Sequence, residues 1–432
     1  MMEMGQGVKL AEERITLASA TAPLPADPRP KLLFLCHRIP FPPDKGEKIR
    51  AFRILEHLSR QFRISLGCFV DDPQDWITAD QLKPYCHELK CIDLRPQFTK
   101  VRALGGLLTG APLTVASFAN AALAAWVSEQ LAREKPEVVF AYSSAMAQFI
   151  LDKDLGDATL IMDFVDVDSD KWRQYAKDSR GPMKWIYARE SKRLLAFDRR
   201  VAAKADVSIL VSEAEAALFR ALAPESAAKT SGVANGIDCA YFSPAHVFSS
   251  PFTGEGPHYV FTGTMDYRPN IDAVVWFADE IFPVIRETLT NATFTIVGNK
   301  PTRDVLALGK REAVTVTGRV PDVRPYLSHA SVVVAPLRLA RGVQNKILEG
   351  MAMGRPVVTT PQGLEGIDAR DGIHLLVATT EDSFAARAIE AATAHSAPLG
   401  SAARELMEKS YSWPGRLAAL DIILRTCGNI PA

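Results

Sequence analysis

The residue types most able to do chemistry lie between Ser331 and Leu364, in SVVVAPLRLARGVQNKILEGMAMGRPVVTTPQGL. A β-branched run ends at Pro336, a loop carrying Arg338, Arg341, Gly342 and Val343 follows, and a helix is predicted from near Gln344 to Gly354. The loop amides and the helix start would aim several N–H groups and a positive dipole end at one spot, a natural seat for a diphosphate. Lys346, in the first turn, adds a point charge there. Glu349, three residues on, shares its face and can accept from two neighbouring hydroxyls, as on a ribose. Lys and Glu at this spacing usually form only a solvated helix pair. The frame of Gly342, Gly354 and Pro356 at a strand end argues for more.

A second candidate is the acidic run Asp163, Asp166, Asp168 and Asp170 in MDFVDVDSD. The Asp166-Val-Asp168 spacing resembles the metal-binding DxD of the other glycosyltransferase fold, which implies two carboxylates carrying a divalent ion and its nucleotide diphosphate. The preferred alternative is a pair of strand-end carboxylates lining an acceptor cleft, facing the same way by strand alternation. Cys86, His87 and Cys91 lie close together, but no second Cys/His pair completes a ligand set, so no metal site is expected. The six cysteines are scattered and fit a reduced, cytoplasmic protein better than a disulfide framework.

The elements that must position these residues read as an α/β chain of 432 residues, too long for one core. Fifty basic and fifty acidic residues balance, which excludes a nucleic-acid binder acting through bulk charge. At 47% hydrophobic and 23% charged the composition is that of an ordinary globular protein. Short apolar runs recur at intervals that leave room for a helix, the pattern of parallel sheets covered on both faces. KLLFLCH, ISLGCF, ELKCIDL, EVVFAYS, TLIMDFVD and VSILVS form one series, and HYVFTG, TFTIVG, VTVTG, SVVVAPL, PVVTT and LLVA a second. The fold class is therefore two successive doubly wound, Rossmann-like units. Expected boundaries are a disordered, non-signal extension over 1–29, a first domain over 30–232, a Gly/Pro/Ser-rich linker over 233–256 and a second domain over 257–400. A helix over 401–432 is expected to return to the first domain. The uncharged stretch 103–127 is either a pair of partly buried helices, the preferred reading, or an apolar face for membrane or a lipid-linked substrate.

KILEGMAMGRPVV resembles the end of the donor-binding motif of retaining glycosyltransferase family 4, which has the two-domain GT-B fold; NGIDCAYFSP and FTGTMDYRPNIDAVVWF resemble its linker and the start of its donor domain. CHRIPFPPDKGEKIRAF and DFVDVDSDKWRQYA resemble the sugar transferases associated with PEP-CTERM/exosortase exopolysaccharide systems. The resemblance implies a nucleotide diphosphate sugar as donor, no cofactor or essential metal, and a glycan or lipid-linked acceptor with peripheral contact at the inner membrane face. It implies Glu349 at the ribose and Gly46, flanked by Lys45, Lys48 and Arg50, with its backbone at the diphosphate. Gly263 and Arg268 fall in the loop that neutralises the diphosphate, and Gly318 and Arg319 at the base. Lys346 and the loop Arg341, Gly342 and Val343 complete the donor seat. One departure stands out: the family's first glutamate falls at Arg341, so either Arg341 pairs with a phosphate or the sugar is held differently. FAYSSAM lacks the family's acceptor-side histidine, leaving Tyr142 and Ser143 near its place. A nucleotide-sugar epimerase and a non-catalytic assembly partner are the competing readings.

Overall fold

The computed structural model describes residues 27–43, 46–94, 106, 110–340, 343–392 and 397–428. Two parallel sheets follow one another along the chain. The first contains β1 (Lys31–Cys36), β2 (Arg63–Val70), β3 (Glu88–Asp93), β4 (Val138–Tyr142), β5 (Thr159–Val165), β6 (Val207–Leu210) and β7 (Thr230–Gly232), in the order β3-β2-β1-β4-β5-β6-β7. The second contains β8 (His258–Thr262), β9 (Thr293–Val297), β10 (Val314–Gly318), β11 (Val332–Ala335), β12 (Val357–Thr359) and β13 (Leu376–Val377), in the order β10-β9-β8-β11-β12-β13. Each order reverses once, at β1/β4 and at β8/β11, and such reversals leave a crevice beyond the strand carboxyl ends. These are two Rossmann-like α/β units, the expected fold class. β7 escaped the sequence reading because Thr-Ser-Gly carries no β-branched run.

Alternation along β1 sends its side chains to two cores. Leu32, Phe34 and Cys36 pack on one face with Ile54, Leu55 and Leu58 of helix α1 (Gly46–Leu58), and Leu33 and Leu35 on the other. The described part of the uncharged stretch forms α2 (Leu113–Ser117) and most of α3 (Ala121–Arg133), and Leu123, Trp126 and Val127 are spent in that second core. Residues 101–105 and 107–109 lie outside the described residues. Among the described residues no helix is long and apolar enough to cross a membrane. Of the expected extension, 1–26 lie outside the described residues, while Arg29 binds Asp27 and the Ser59 carbonyl.

Two helices stand out from the first unit. α4 (Asp168–Asp178) and α5 (Gly181–Lys204) form a hairpin rooted directly after β5. The chain leaves the first sheet at Val233 and returns through α6 (Trp413–Gly428), whose Trp413, Leu417, Leu420 and Leu424 fill the core under β1. Both crossings touch: Ile237 N–H donates to the Tyr411 carbonyl at 2.7 Å, and a Cβ on Gly236 would stand 2.6 Å from the Trp413 backbone. Only glycine permits that approach.

Lys48 and Arg50, which flank Gly46 in the sequence, turn inward. Both are buried: Lys48 Nζ lies 2.6 Å from Asp75, and Arg50 Nε 2.9 Å from Asp163 on β5. Arg50 also donates to the Val233 carbonyl and Asn235 Oδ1, binding α1, β5 and the linker together. A buried pair that loses one partner keeps an uncompensated charge. Asp163→Ala should therefore lower stability by roughly 3–5 kcal/mol, while Arg50→Met with Asp163→Leu recovers most of it. Urea unfolding of the three proteins checks this; a single-variant loss below about 1 kcal/mol would show that the pair is not desolvated.

Candidate functional site

The crevice at the β8/β11 reversal is lined by the loop after β8, the helix α7 (Arg268–Trp276) that follows it, and the helix α8 (Asn345–Ala352) reached from β11. Strand β8 ends in Thr262, and Gly263 turns the chain so tightly that a Cβ there would meet Asn270 Nδ2 at 2.7 Å and Lys346 Cε at 3.4 Å. Behind it, a Cβ on Gly298 would collide with the Gly263 carbonyl. The strand-end glycines therefore answer to close backbone packing at the crevice floor.

Lys346 reaches this floor from the first turn of α8. Its ammonium donates to Asn270 Oδ1 at 3.0 Å and sits 5.2 Å from the Phe261 ring centroid, while Asn270 Nδ2 donates to the Thr264 carbonyl at 2.9 Å. Asn270, 4% exposed, was missed by the sequence reading, although it lies in the quoted RPN segment. A buried carboxamide one turn into a helix, aimed back at its own entry loop, is the signal that could have found it. Burial pushes Lys346 down to about 8, opposed by the charge of Glu349. Burial also pushes Glu349 up to about 6, opposed by Lys346. Its carboxylate receives no hydrogen bond from the described residues, and its charge adds to the burial that raises the Tyr241 phenol of the linker. Near neutrality the site thus holds a cation and an anion on one helical face, each half-buried, each supporting the other's charge.

The remaining predicted residues are distributed around this pair. Arg268 opens α7 and is exposed, as is Arg319 beyond β10. Gly318 has φ +69°, and its carbonyl accepts from Gly298 N–H at 3.2 Å. Val343 is half-buried against the second core. Arg341 and Gly342 lie outside the described residues, as does Lys45. Arg338 is committed elsewhere, paired with Asp272 at 2.6 Å over the Trp276 ring. Gly46 belongs to the first unit, where it opens α1 at the β1 end, with no atom within 4 Å of the place a Cβ would take.

The strand ends around Gly46 carry a second group of polar side chains. His37 follows β1, stacked on Tyr142 at 5.7 Å, with Glu47 3.6 Å from its Nε2. His37, ahead of the Arg38 guanidinium, holds Glu47 down to about 2. The expectation that Asp166 and Asp168 share a strand face needs correction. The β5 ladder slips between Asp163 and Val165, Val165 takes φ +69°, and Asp166 lies in the turn while Asp168 opens α4. Burial raises both. Behind them Asp198 of α5, 2% exposed, is pushed up to about 8 by burial. Among the described residues no three His, Cys, Asp or Glu side chains are placed to hold a metal ion.

Residues 256–394 match the model of the family Glycosyl transferases group 1. The match falls on the second unit, about a third of the chain. The whole architecture matches GT-B structures. The Anabaena protein HepE in complex with UDP-glucose aligns at 15% identity over 92% of this chain and 100% of its own, with a TM-score of 0.60. A glycosyltransferase from Rickettsia africae aligns at 12% over 93% and 99%, TM-score 0.61. WaaG, involved in lipopolysaccharide biosynthesis, aligns at 16% over 91% and 99%, TM-score 0.58. No curated protein is a significant match to this sequence.

Lys346, ionising near 8, should acylate ahead of the solvated lysines when an amine-selective reagent is applied at neutral pH. Because the Glu349 charge raises the Lys346 value, Glu349→Gln lowers it further and should increase labelling of Lys346 several-fold, read by peptide mass spectrometry. Equal labelling in both proteins would show that the two groups are not coupled.

Proposed function

We propose that the protein is a retaining glycosyltransferase that moves a sugar from a nucleotide diphosphate sugar to a glycan or lipid-linked acceptor in exopolysaccharide synthesis, without an essential metal. The observation that carries this reading is Lys346, braced by Asn270 over a glycine-floored crevice at the β8/β11 reversal, with the Glu349 carboxylate one turn further along the same helix. HepE, a structure of the same architecture, is described in complex with UDP-glucose, which makes UDP-sugars the first donors to test. Assignment to family 4 and to the PEP-CTERM-associated subgroup rests on the motif resemblance.

In this reading the diphosphate lies over Gly263 and against Lys346, with Arg268 and the Arg341-Gly342-Val343 loop closing around it. Glu349 accepts from the ribose hydroxyls, and Gly318 and Arg319 border the base. Gly46 offers its backbone from the other unit. Transfer breaks the bond between the anomeric carbon and the diphosphate, which departs with the electron pair. The acceptor hydroxyl then bonds that carbon on the same face and gives up its proton to an oxygen of the departing diphosphate. Such chemistry needs positioned charge at the leaving group and at an oxocarbenium-like centre. Asp166 and Asp168, beside the first unit's strand ends, stand where an acceptor's hydroxyls would be held.

The pH dependence of donor binding follows from the two shifted groups. A diphosphate needs Lys346 protonated, so affinity should fall as pH rises through about 8; ribose hydroxyls need Glu349 ionised, so affinity should fall as pH drops below about 6. Titration calorimetry with UDP in the parent should show tightest binding between these values, and Lys346→Met should abolish the alkaline limb. A flat profile would remove both groups from the donor site. Glu349→Gln should weaken donor binding about tenfold or more. Incubation with labelled nucleotide sugars and a membrane extract should place label in a glycan or lipid fraction, with chelator having no effect. Loss of activity in chelator would restore the metal reading, isomerised donor without acceptor would indicate an epimerase, and donor binding without transfer an assembly partner.

A further inference from the structure

Three cysteines form a row across the first sheet. In the parallel register Cys36 of β1 stands beside Cys68 of β2, and Cys68 beside Cys91 of β3, so the three side chains leave the sheet on one face and enter one core. Cys86 packs against the same core from the turn just before β3. The proposed donor chemistry uses none of these thiols.

Their surroundings sort them. Cys36 is fully buried, and burial pushes its thiol up to about 12. Burial does the same to Cys86, whose Sγ donates to the Leu82 carbonyl at 3.1 Å. Thiols held that high stay protonated and inert near neutrality. Cys68 and Cys91 differ because their sulfurs touch, at 3.7 Å. Cys68 is fully buried, whereas Cys91 is half-buried and reaches solvent. The S–H of Cys68, donated to the Cys91 sulfur, stabilises negative charge there and lowers the Cys91 thiol; donating, with burial, raises Cys68. One sulfur is thus able to attack from the solvent side, and a second lies in contact behind it. Among the described residues no three His, Cys, Asp or Glu side chains are placed to hold a metal ion, which leaves oxidation as the chemistry open to the pair.

We propose that Cys91 and Cys68 are a peroxide-reactive dithiol that closes into a disulfide between β3 and β2. The Cys91 thiolate attacks one oxygen of hydrogen peroxide, the O–O bond breaks, and the other oxygen leaves as hydroxide with the electron pair. Cys91 is then a sulfenic acid. The Cys68 sulfur attacks the Cys91 sulfur, the S–S bond forms as the S–O bond breaks, and the departing hydroxide takes up the Cys68 proton. Two thiols lose two electrons and two protons in all, and one peroxide becomes two waters.

The position of the pair permits closure. Residues directly paired on neighbouring strands lie about 4.8 Å apart, inside the roughly 4.4–6.8 Å that separates bridged Cα atoms. The sulfurs must approach from 3.7 Å to about 2.05 Å, so one strand has to yield. β3 can do so. It is the edge of the seven-stranded sheet, paired on one side only, and every residue in it is half-buried or exposed.

The proposal stands apart from the glycosyltransferase reading, because its test contains neither donor nor acceptor. The full chain is reduced, freed of reductant, treated with excess hydrogen peroxide at neutral pH, alkylated and digested. Cleavage at Asp72 and Asp80 separates Cys68 from Cys86, and cleavage after Lys90 separates Cys86 from Cys91. Mass spectrometry should find Cys68 joined to Cys91, with two of the six thiols lost and both restored by dithiothreitol. In Cys68→Ala the reaction stops at the sulfenic acid, so dimedone should label Cys91 roughly tenfold more than in the parent. Cys91→Ser should leave Cys68 unoxidised, and Cys86→Ala should crosslink as the parent does. A parent without the Cys68–Cys91 crosslink would overturn the proposal, as would closure onto Cys86 or oxidation confined to the exposed Cys427. Equal dimedone labelling of Cys91 in the parent and Cys68→Ala would overturn it as well. Unchanged thermal midpoints confirm that the variants fold, and the parent crosslink is decisive without them.

Discussion

A single half-buried ammonium group, held at the floor of a crevice by one carboxamide, sets the demands on the second unit. Lys346 reaches Asn270 only because Gly263 has no side chain, and Gly263 can turn there only because Gly298 lets its carbonyl pass. The ammonium is costly to bury, and the compensation comes from Glu349 on the same face and from the Asn270 oxygen. In the proposed reading the donor's diphosphate is the anion this site receives. The reversal of strand order between β8 and β11 supplies the opening in which one could sit.

The first unit handles its charges differently. Lys48 and Arg50 are among its largest fully buried side chains, and both are consumed by carboxylates at close range. Arg50 adds two bonds to the linker, at Val233 and Asn235, so the start of the connection between units is fixed to the first unit's core. The return crossing lies against it, where Gly236 meets Trp413. Two adjacent strands of chain, packed on one side, leave the strand ends of each unit as the surfaces available to ligand.

Much of the fold was legible in the chain because parallel strands buried on both faces read as continuous β-branched runs, and their spacing counts the helices between them. Six of the first unit's seven strands and all six of the second carry that mark. The strand that did not, Thr230–Gly232, is held by its neighbour and by chain geometry. At the site, the Lys346 and Glu349 spacing placed both groups on one helical face before any coordinates. Asn270 was not legible, because its importance lies in which loop it faces. The alternation expected for Asp166 and Asp168 failed because the ladder slips just before them.

By itself, then, the sequence determined periodicity: which segments pair, which helix follows which strand, and which side chains share a helical face. Tertiary structure alone decided what each charge is for. Lys346 faces an open crevice, Lys48 and Arg50 are locked in the core, and Arg180 and Lys184 stand in solvent, though all five are cations on or beside helices. A charge acquires its role from the dielectric around it and the partner opposite, and those partners come from positions tens to hundreds of residues away. Local spacing carries no record of them.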